Sequence, residues 1–221
     1  KTLRIDSDTT SRKGSLEHML SSFRRGKAQI LIGTQVVAKG LDFPNVTLVG
    51  IISADTTLNM PDFRAGERTF QLITQVAGRA GRGELPGKVY IQTYTPEALA
   101  IKAACEKDID GFYSEELQLR RRTSYPPFCS ILNIIFTGSE EDVTIAQAQR
   151  ILELLSLEKY YVKIYGPVPA PRPKIRDNYR YNILIKSQRI ETLTAIARFL
   201  KTIKKDSRVN MAWDVDPQDM L

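Results

Sequence analysis

Cysteine and histidine are nearly absent: the chain has two of the first and one of the second in 221 residues. Cys105 and Cys129 stand far apart and form no CxxC pair, which argues against a disulfide framework or a zinc site within these residues. Both read as reduced, buried thiols of a cytosolic protein. The one histidine, His18, falls in a helical pattern and reads as a surface residue rather than a catalyst. No apolar run approaches the roughly 18–20 residues of a membrane-spanning helix. There is no signal-peptide h-region, and the chain opens on Lys1-Thr2-Leu3-Arg4-Ile5 without an initiator methionine; we expect a piece of a longer, cytoplasmic protein. No internal repeat or low-complexity tract occurs. A P-loop is missing too. Gly26-Lys27 and Gly87-Lys88 lack the upstream glycine and the following Ser or Thr of G-x-x-x-x-G-K-[ST], and no Asp-Glu box for Mg²⁺ is present.

What is present is enough apolar residue, 42%, for real cores, and a formal charge of +7. A positive surface suits a phosphate backbone, and ordinary solubility explains the same value.

The first half alternates strand and helix signals. Thr2–Asp6, Gln29–Gly33, Val46–Ser53 and Lys88–Tyr94 read as strands, the second and third as buried runs. Gly14–Arg24, with Leu16, Met19, Leu20 and Phe23 at helical spacing, and Ala65–Ala77 read as helices. Such alternation predicts a parallel sheet covered on both faces. A helical connector follows and ends at Ser124-Tyr125-Pro126-Pro127-Phe128. The second half has the order βαββαβ: strands at Ile131–Phe136, Tyr161–Tyr165, Tyr179–Lys186 and Arg208–Val215, and helices at Glu140–Leu157 and Ile190–Ile203. That order predicts a split βαβ sandwich of ferredoxin-like type. The stretch Gly166–Pro173 is too rich in proline for either regular structure. We therefore expect an α/β chain in three parts: residues 1–104, a connector at 105–128, and a small α+β domain at 129–221.

Two segments carry chemistry. Gly33-Thr34-Gln35-Val36-Val37-Ala38-Lys39-Gly40-Leu41-Asp42-Phe43 begins where a strand ends, and ligands of open parallel sheets sit beyond the carboxyl ends of strands. Thr34 offers a hydroxyl and an N–H to a phosphate of a bound strand, Gly40 permits close approach of backbone to ligand, and Asp42 suits a ribose hydroxyl. A capped helix ending in glycine accounts for the same residues. The second segment is Gln75-Val76-Ala77-Gly78-Arg79-Ala80-Gly81-Arg82. Its arginines, three residues apart, project the same way at a helix end, and guanidinium groups bind phosphate in a bidentate manner. A basic glycine-rich turn is the plainer reading. A dinucleotide fingerprint is excluded because these glycines follow a helix.

Together the segments resemble motifs V and VI of superfamily 2 helicases: Thr-Gln-x-x-x-Lys-Gly-x-Asp-Phe, then Gln-x-x-Gly-Arg-Ala-Gly-Arg about thirty residues later. Lys13-Gly14-Ser15, Ser53-Ala54-Asp55, Pro61-Asp62-Phe63-Arg64-Ala65-Gly66-Glu67-Arg68, Arg122-x-x-Tyr125-Pro126-Pro127-Phe128 and Asp214-Val215-Asp216-Pro217 are similar to the primosomal protein N′ family of bacterial replication-restart helicases. The resemblance implies a partial second RecA-like lobe followed by that family's C-terminal domain. It implies an ATP-dependent DNA helicase that reloads the replication machinery at stalled forks, with the first lobe and its P-loop outside these residues. Arg82 and Arg79 become arginine fingers for ATP·Mg²⁺, Gln75 a relay, Gly40 and Asp42 nucleotide contacts, and Thr34 a DNA contact. These residues alone are expected to be inactive, and the family's zinc is expected elsewhere. DNA, single-stranded DNA-binding protein and other primosome proteins are the implied partners.

In the second half Arg172, Lys174, Arg176, Arg180, Lys186 and Arg189 are dense, with Tyr179 and Tyr181 interleaved; cations beside aromatics suit a single strand. A solvated hairpin edge protected by its charges explains them equally. Arg189, at a strand–helix junction with Ile190 and Leu193 beside it, is the candidate receptor for the acidic tail of single-stranded DNA-binding protein. Asp214 and Asp216 read as a structural turn in preference to a metal pair. The competing function is a non-enzymatic basic module that binds nucleic acid or peptide.

Overall fold

The computed structural model describes residues 1–6, 14–34, 43, 45–78, 80, 86–158 and 160–220. It divides into two compact units: Lys1–Met60 with Arg64–Phe112, and Pro61–Phe63 with Tyr113–Leu221. The split falls inside one helix, and three residues of the first half, Pro61–Phe63, belong to the second unit.

In the first unit β1 (Thr2–Ile5) pairs in parallel with β2 (Ile30–Gly33), and α1 (Ser15–Arg24) connects them. The chain enters α1 through Gly14 at φ +83°, a left-handed conformation that glycine adopts without a side-chain clash. Ile5, Leu20 and Phe43 form a small core here, with Leu16, Met19 and Phe23 packed on it. A second parallel pair joins β3 (Leu48–Ile51) to β4 (Lys88–Ile91). Against it lie α2 (Asp55–Leu58), α3 (Ala65–Ala77) and α4 (Leu99–Glu106). Phe70 of α3 stacks on Phe112 at 4.1 Å between ring centroids.

Parallel pairing matches the sequence pattern, but burial of both faces does not. Ile30, Ile32 and Leu48 are 56%, 53% and 60% exposed. Among the described residues each strand has one hydrogen-bonded neighbour, and only alternate residues meet a helix. Cys105 also departs from expectation: it is exposed on α4, whereas Cys129 is buried.

The second unit begins in α5 (Ile109–Thr123). Its sheet contains β5 (Ser130–Gly138), β6 (Lys163–Ile175), β7 (Asn178–Ser187) and β8 (Val209–Val215), in the spatial order β6-β7-β5-β8 and antiparallel throughout. Two helices, α6 (Glu141–Leu157) and α7 (Ile190–Thr202), pack on one face. Ile134, Phe136, Ile151, Ile183, Leu193 and Ile196 are fully buried between the layers, and each such side chain contributes roughly 1.5–3 kcal/mol. Asp216 closes the β5–β8 margin: its N–H donates to the Ile131 carbonyl at 2.7 Å and its Oδ1 accepts the Ile131 N–H at 2.8 Å.

The proline-rich stretch is a correction, for β6 runs straight through residues 166–173. This is an edge strand, and its ladder with β7 breaks between Tyr165 and Val168 and again between Pro169 and Lys174. Pro167, Pro171 and Pro173 fall within the breaks, where a missing N–H removes no ladder bond. Gly166 is required there, since a Cβ would sit 2.5 Å from the Asn182 carbonyl oxygen.

Candidate nucleotide and nucleic-acid sites

Thr34 directly follows the carboxyl end of β2 and is exposed. In α3, Ala65, Thr69 and Ile73 recur at helical spacing and are buried, so Gln75 projects from the opposite side and is exposed. The helix stops at Gly78, whose N–H donates to the Thr74 carbonyl at 3.1 Å. Gly40, Asp42, Arg79 and Arg82 lie outside the described residues.

Asp55 is a buried carboxylate in the first unit. It accepts hydrogen bonds from the Thr93 hydroxyl at 3.0 Å, the Tyr94 N–H at 3.1 Å and the Thr95 hydroxyl at 3.0 Å. Burial pushes its pKa up, and these donors outweigh burial and hold it below the usual carboxylate value. With that many donors Asp55 pins α2 to the segment after β4.

In the second unit β6 and β7 form a hairpin through Arg176 and Asp177, whose φ angles of +47° and +61° suit a two-residue turn matched to strand twist. The Asn178 side-chain amide donates to the Arg176 carbonyl at 2.9 Å and supports that turn. Arg172, Lys174 and Arg176 are exposed on the hairpin. Lys174 sits 4.8 Å over the Tyr179 ring and 3.6 Å from the exposed Asp177, and Arg180 donates to the Arg172 carbonyl at 3.5 Å. The fold thus brings five of the sequence candidates onto one element.

Two neighbours do not join them. Tyr181 faces the core, and its hydroxyl donates to Glu141 at 2.8 Å. Lys186 is 6% exposed; its Nζ donates to the Thr123 carbonyl at 3.1 Å and lies 3.2 Å from the Tyr125 ring centroid. Burial pulls the Lys186 pKa down. Tyr125 in turn stacks on Phe63, and Arg120 lies over Phe63 while bonding Glu116 at 2.8 Å, which explains why Pro61–Phe63 belong to this unit. Arg189 is exposed at the start of α7, and Ile190 is 47% exposed, but Leu193 is fully buried and cannot line a surface pocket.

One feature escaped the sequence reading. A cavity of about 520 Å³ opens beside the first half of α6, lined by Gln147, Arg150, Lys204, Lys205 and Arg208 among others. Arg208 is tied to Asp206 at 2.9 Å, and this partner holds the Asp206 carboxyl at about 2. The Lys204-Lys205 pair was the signal in the sequence, but α6 lies some sixty residues away from it.

Known families match both parts of the chain. The helicase conserved C-terminal domain matches residues 1–84, and the primosomal protein N C-terminal domain matches residues 121–218. Replication restart protein PriA of Bacillus subtilis (strain 168) is 45% identical over all of this chain and 28% of its own length. The chain belongs to the PriA family. PriA of Chlamydia pneumoniae is 43% identical over 98% of the chain, and that of Synechocystis is 42% identical over 97%. The chain spans under a third of these relatives: 28%, 29% and 26% of their lengths. Nothing in these matches favours a non-enzymatic binding module. Among the described residues no helix is long and apolar enough to cross a membrane.

Proposed function

We propose that the chain is the nucleotide-sensing and DNA-gripping C-terminal part of an ATP-dependent replication-restart DNA helicase. The first unit is a partial RecA-like lobe, and the second, with its β6-β7-β5-β8 order, is a ferredoxin-like domain. The observation that carries the reading is Thr34, exposed directly beyond the carboxyl end of a parallel strand and opening one helicase segment, with exposed Gln75 opening the other.

ATP with Mg²⁺, when bound, supplies the phosphoryl transfer to water that drives movement. Arg82 and Arg79 face the transferred phosphate, Gln75 links nucleotide and DNA, and Gly40 and Asp42 touch the nucleotide. Thr34 and the hairpin cations Arg172, Lys174, Arg176 and Arg180, with Tyr179, hold the DNA. Arg189 takes the carboxylate of the single-stranded DNA-binding protein tail without Leu193, and other primosome proteins dock on the assembled enzyme. Zinc belongs to residues outside this chain.

Assaying ATP turnover with the 221-residue chain alone tests the division of labour. We expect none, with or without DNA, because these residues hold no P-loop. DNA-stimulated turnover above a contaminant control would overturn the reading.

A further inference from the structure

The chain leaves the first unit after Met60 and returns to it at Arg64, and Pro61–Phe63 between them belong to the second. Both ends of this excursion are short. On one side α2 ends at Leu58, and Asp55 pins that helix within the first unit through Thr93, Tyr94 and Thr95. On the other side only Arg64 separates Phe63 from α3, and the Arg64 carbonyl already accepts the Arg68 N–H at 2.8 Å. Consecutive Cα atoms are about 3.8 Å apart, so a single intervening residue leaves little slack to absorb a displacement of Phe63.

Within the second unit Phe63 is held by named groups. Its ring stacks on Tyr125, with centroids 4.9 Å apart and planes 16° from parallel. The Arg120 guanidinium lies 5.1 Å from the Phe63 centroid and is fixed by Glu116 at 2.8 Å. Lys186 of β7 lies 3.2 Å from the Tyr125 centroid and 5.4 Å from that of Tyr165 in β6. Stacked rings and cations over rings specify an orientation as well as burying area. The two strands that meet Tyr125 through Lys186 are those that continue into the cationic hairpin. Beyond Phe63, α3 buries Ala65, Thr69, Phe70 and Ile73, so it shifts as a body. Gln75 stands about 15 Å along that helix from Ala65, and Arg79 and Arg82 follow it in sequence.

We infer that Phe63 is a positioning residue for ATP hydrolysis: its stack on Tyr125 makes the placement of α3, and so of Gln75 and the arginines that follow, depend on the second unit. This rests on the proposed helicase function and adds a route by which DNA on the hairpin raises turnover. The route consists of packed rings and rigid elements, so what checks it is energetic coupling between Phe63 and Tyr125.

The test is steady-state ATP turnover by the full-length protein, with and without single-stranded DNA. Phe63→Ala should lower the DNA-stimulated kcat roughly tenfold, while KM for ATP, basal turnover and DNA affinity stay near those of the unsubstituted protein. Tyr125→Ala should do the same, and the double variant should be no slower than Tyr125→Ala alone, because both substitutions remove one interaction. Tyr125→Phe keeps the ring plane and should keep full stimulation. Unchanged stimulation in Phe63→Ala, or losses that multiply in the double variant, overturns the inference and leaves the helicase reading standing. Loss of basal along with stimulated turnover in Phe63→Ala marks a residue needed for folding and overturns it too. Absence of DNA-stimulated turnover in the unsubstituted protein overturns both.

Discussion

The two units solve the burial problem differently. The second closes one continuous core, fourteen buried residues between a four-stranded sheet and two helices. The first has separate clusters of nine and three buried residues among those described, and leaves Ile30, Ile32 and Leu48 more than half exposed. An antiparallel sheet tolerates one open face, whereas parallel pairs are ordinarily covered on both. The difference extends to how each unit displays its candidate residues. The first has Thr34 directly after a strand and Gln75 near a helix end, and the second displays Arg172, Lys174 and Arg176 on a hairpin.

The sharpest division is functional. Arg82→Ala in the full-length protein should lower single-turnover hydrolysis at saturating ATP by roughly 10³-fold or more with little change in nucleotide affinity, since a finger acts on transition-state charge. The hairpin variant Arg176→Ala should leave that rate constant intact. An unchanged rate in Arg82→Ala would move the finger role to Arg79.

Stability offers the next comparison. Ile134→Ala, at a fully buried position, should cost about 2–5 kcal/mol. Ile32→Ala should cost no more than about 1 kcal/mol. Trp213 is the sole tryptophan and packs against the second core, so its emission during urea unfolding reads that unit. Ile134→Ala should shift this transition and Ile32→Ala should not; equal shifts would mean the units unfold as one.

A smaller effect concerns salt. Each of Arg172, Arg176 and Arg180 that neutralises a phosphate should contribute about 0.7 to the slope of log affinity against log salt on single-stranded DNA. Replacing any one by Ala should flatten the slope by that much; an unaltered slope removes that residue from the interface.

The smallest is a pH effect in the first unit. Hydrogen bonds hold the Asp55 pKa below its ordinary 3.8. A lowered folded-state pKa gives stabilisation that is present at neutral pH and lost as pH falls below that value. Hydrogen-exchange protection of the Tyr94 amide should decline across that window and be less pH-dependent in Asp55→Asn. A constant profile would show that Asp55 is not the anchor.

Much was legible in sequence because it is local. Apolar spacing in Ala65–Ala77 and Glu141–Leu157 fixes a helix and its buried face, so these elements and the exposed position of Gln75 follow from periodicity alone. The paired segments beginning at Thr34 and Gln75, together with the residues beyond them, identified the family. Tertiary structure decided what depends on neighbours. Prolines in residues 166–173 are compatible with a strand only because β6 is an edge whose ladder breaks beside them. Lys186 and Tyr181 look like surface partners of Arg180, yet burial under Tyr125 and a bond to Glu141 remove them. Asn133 and Asn182 read as unremarkable strand residues until the register sets them diagonally across the two central strands, both buried. A sequence specifies which way a side chain points along its own strand or helix; what stands opposite, and whether water reaches it, is set by the chain's distant segments.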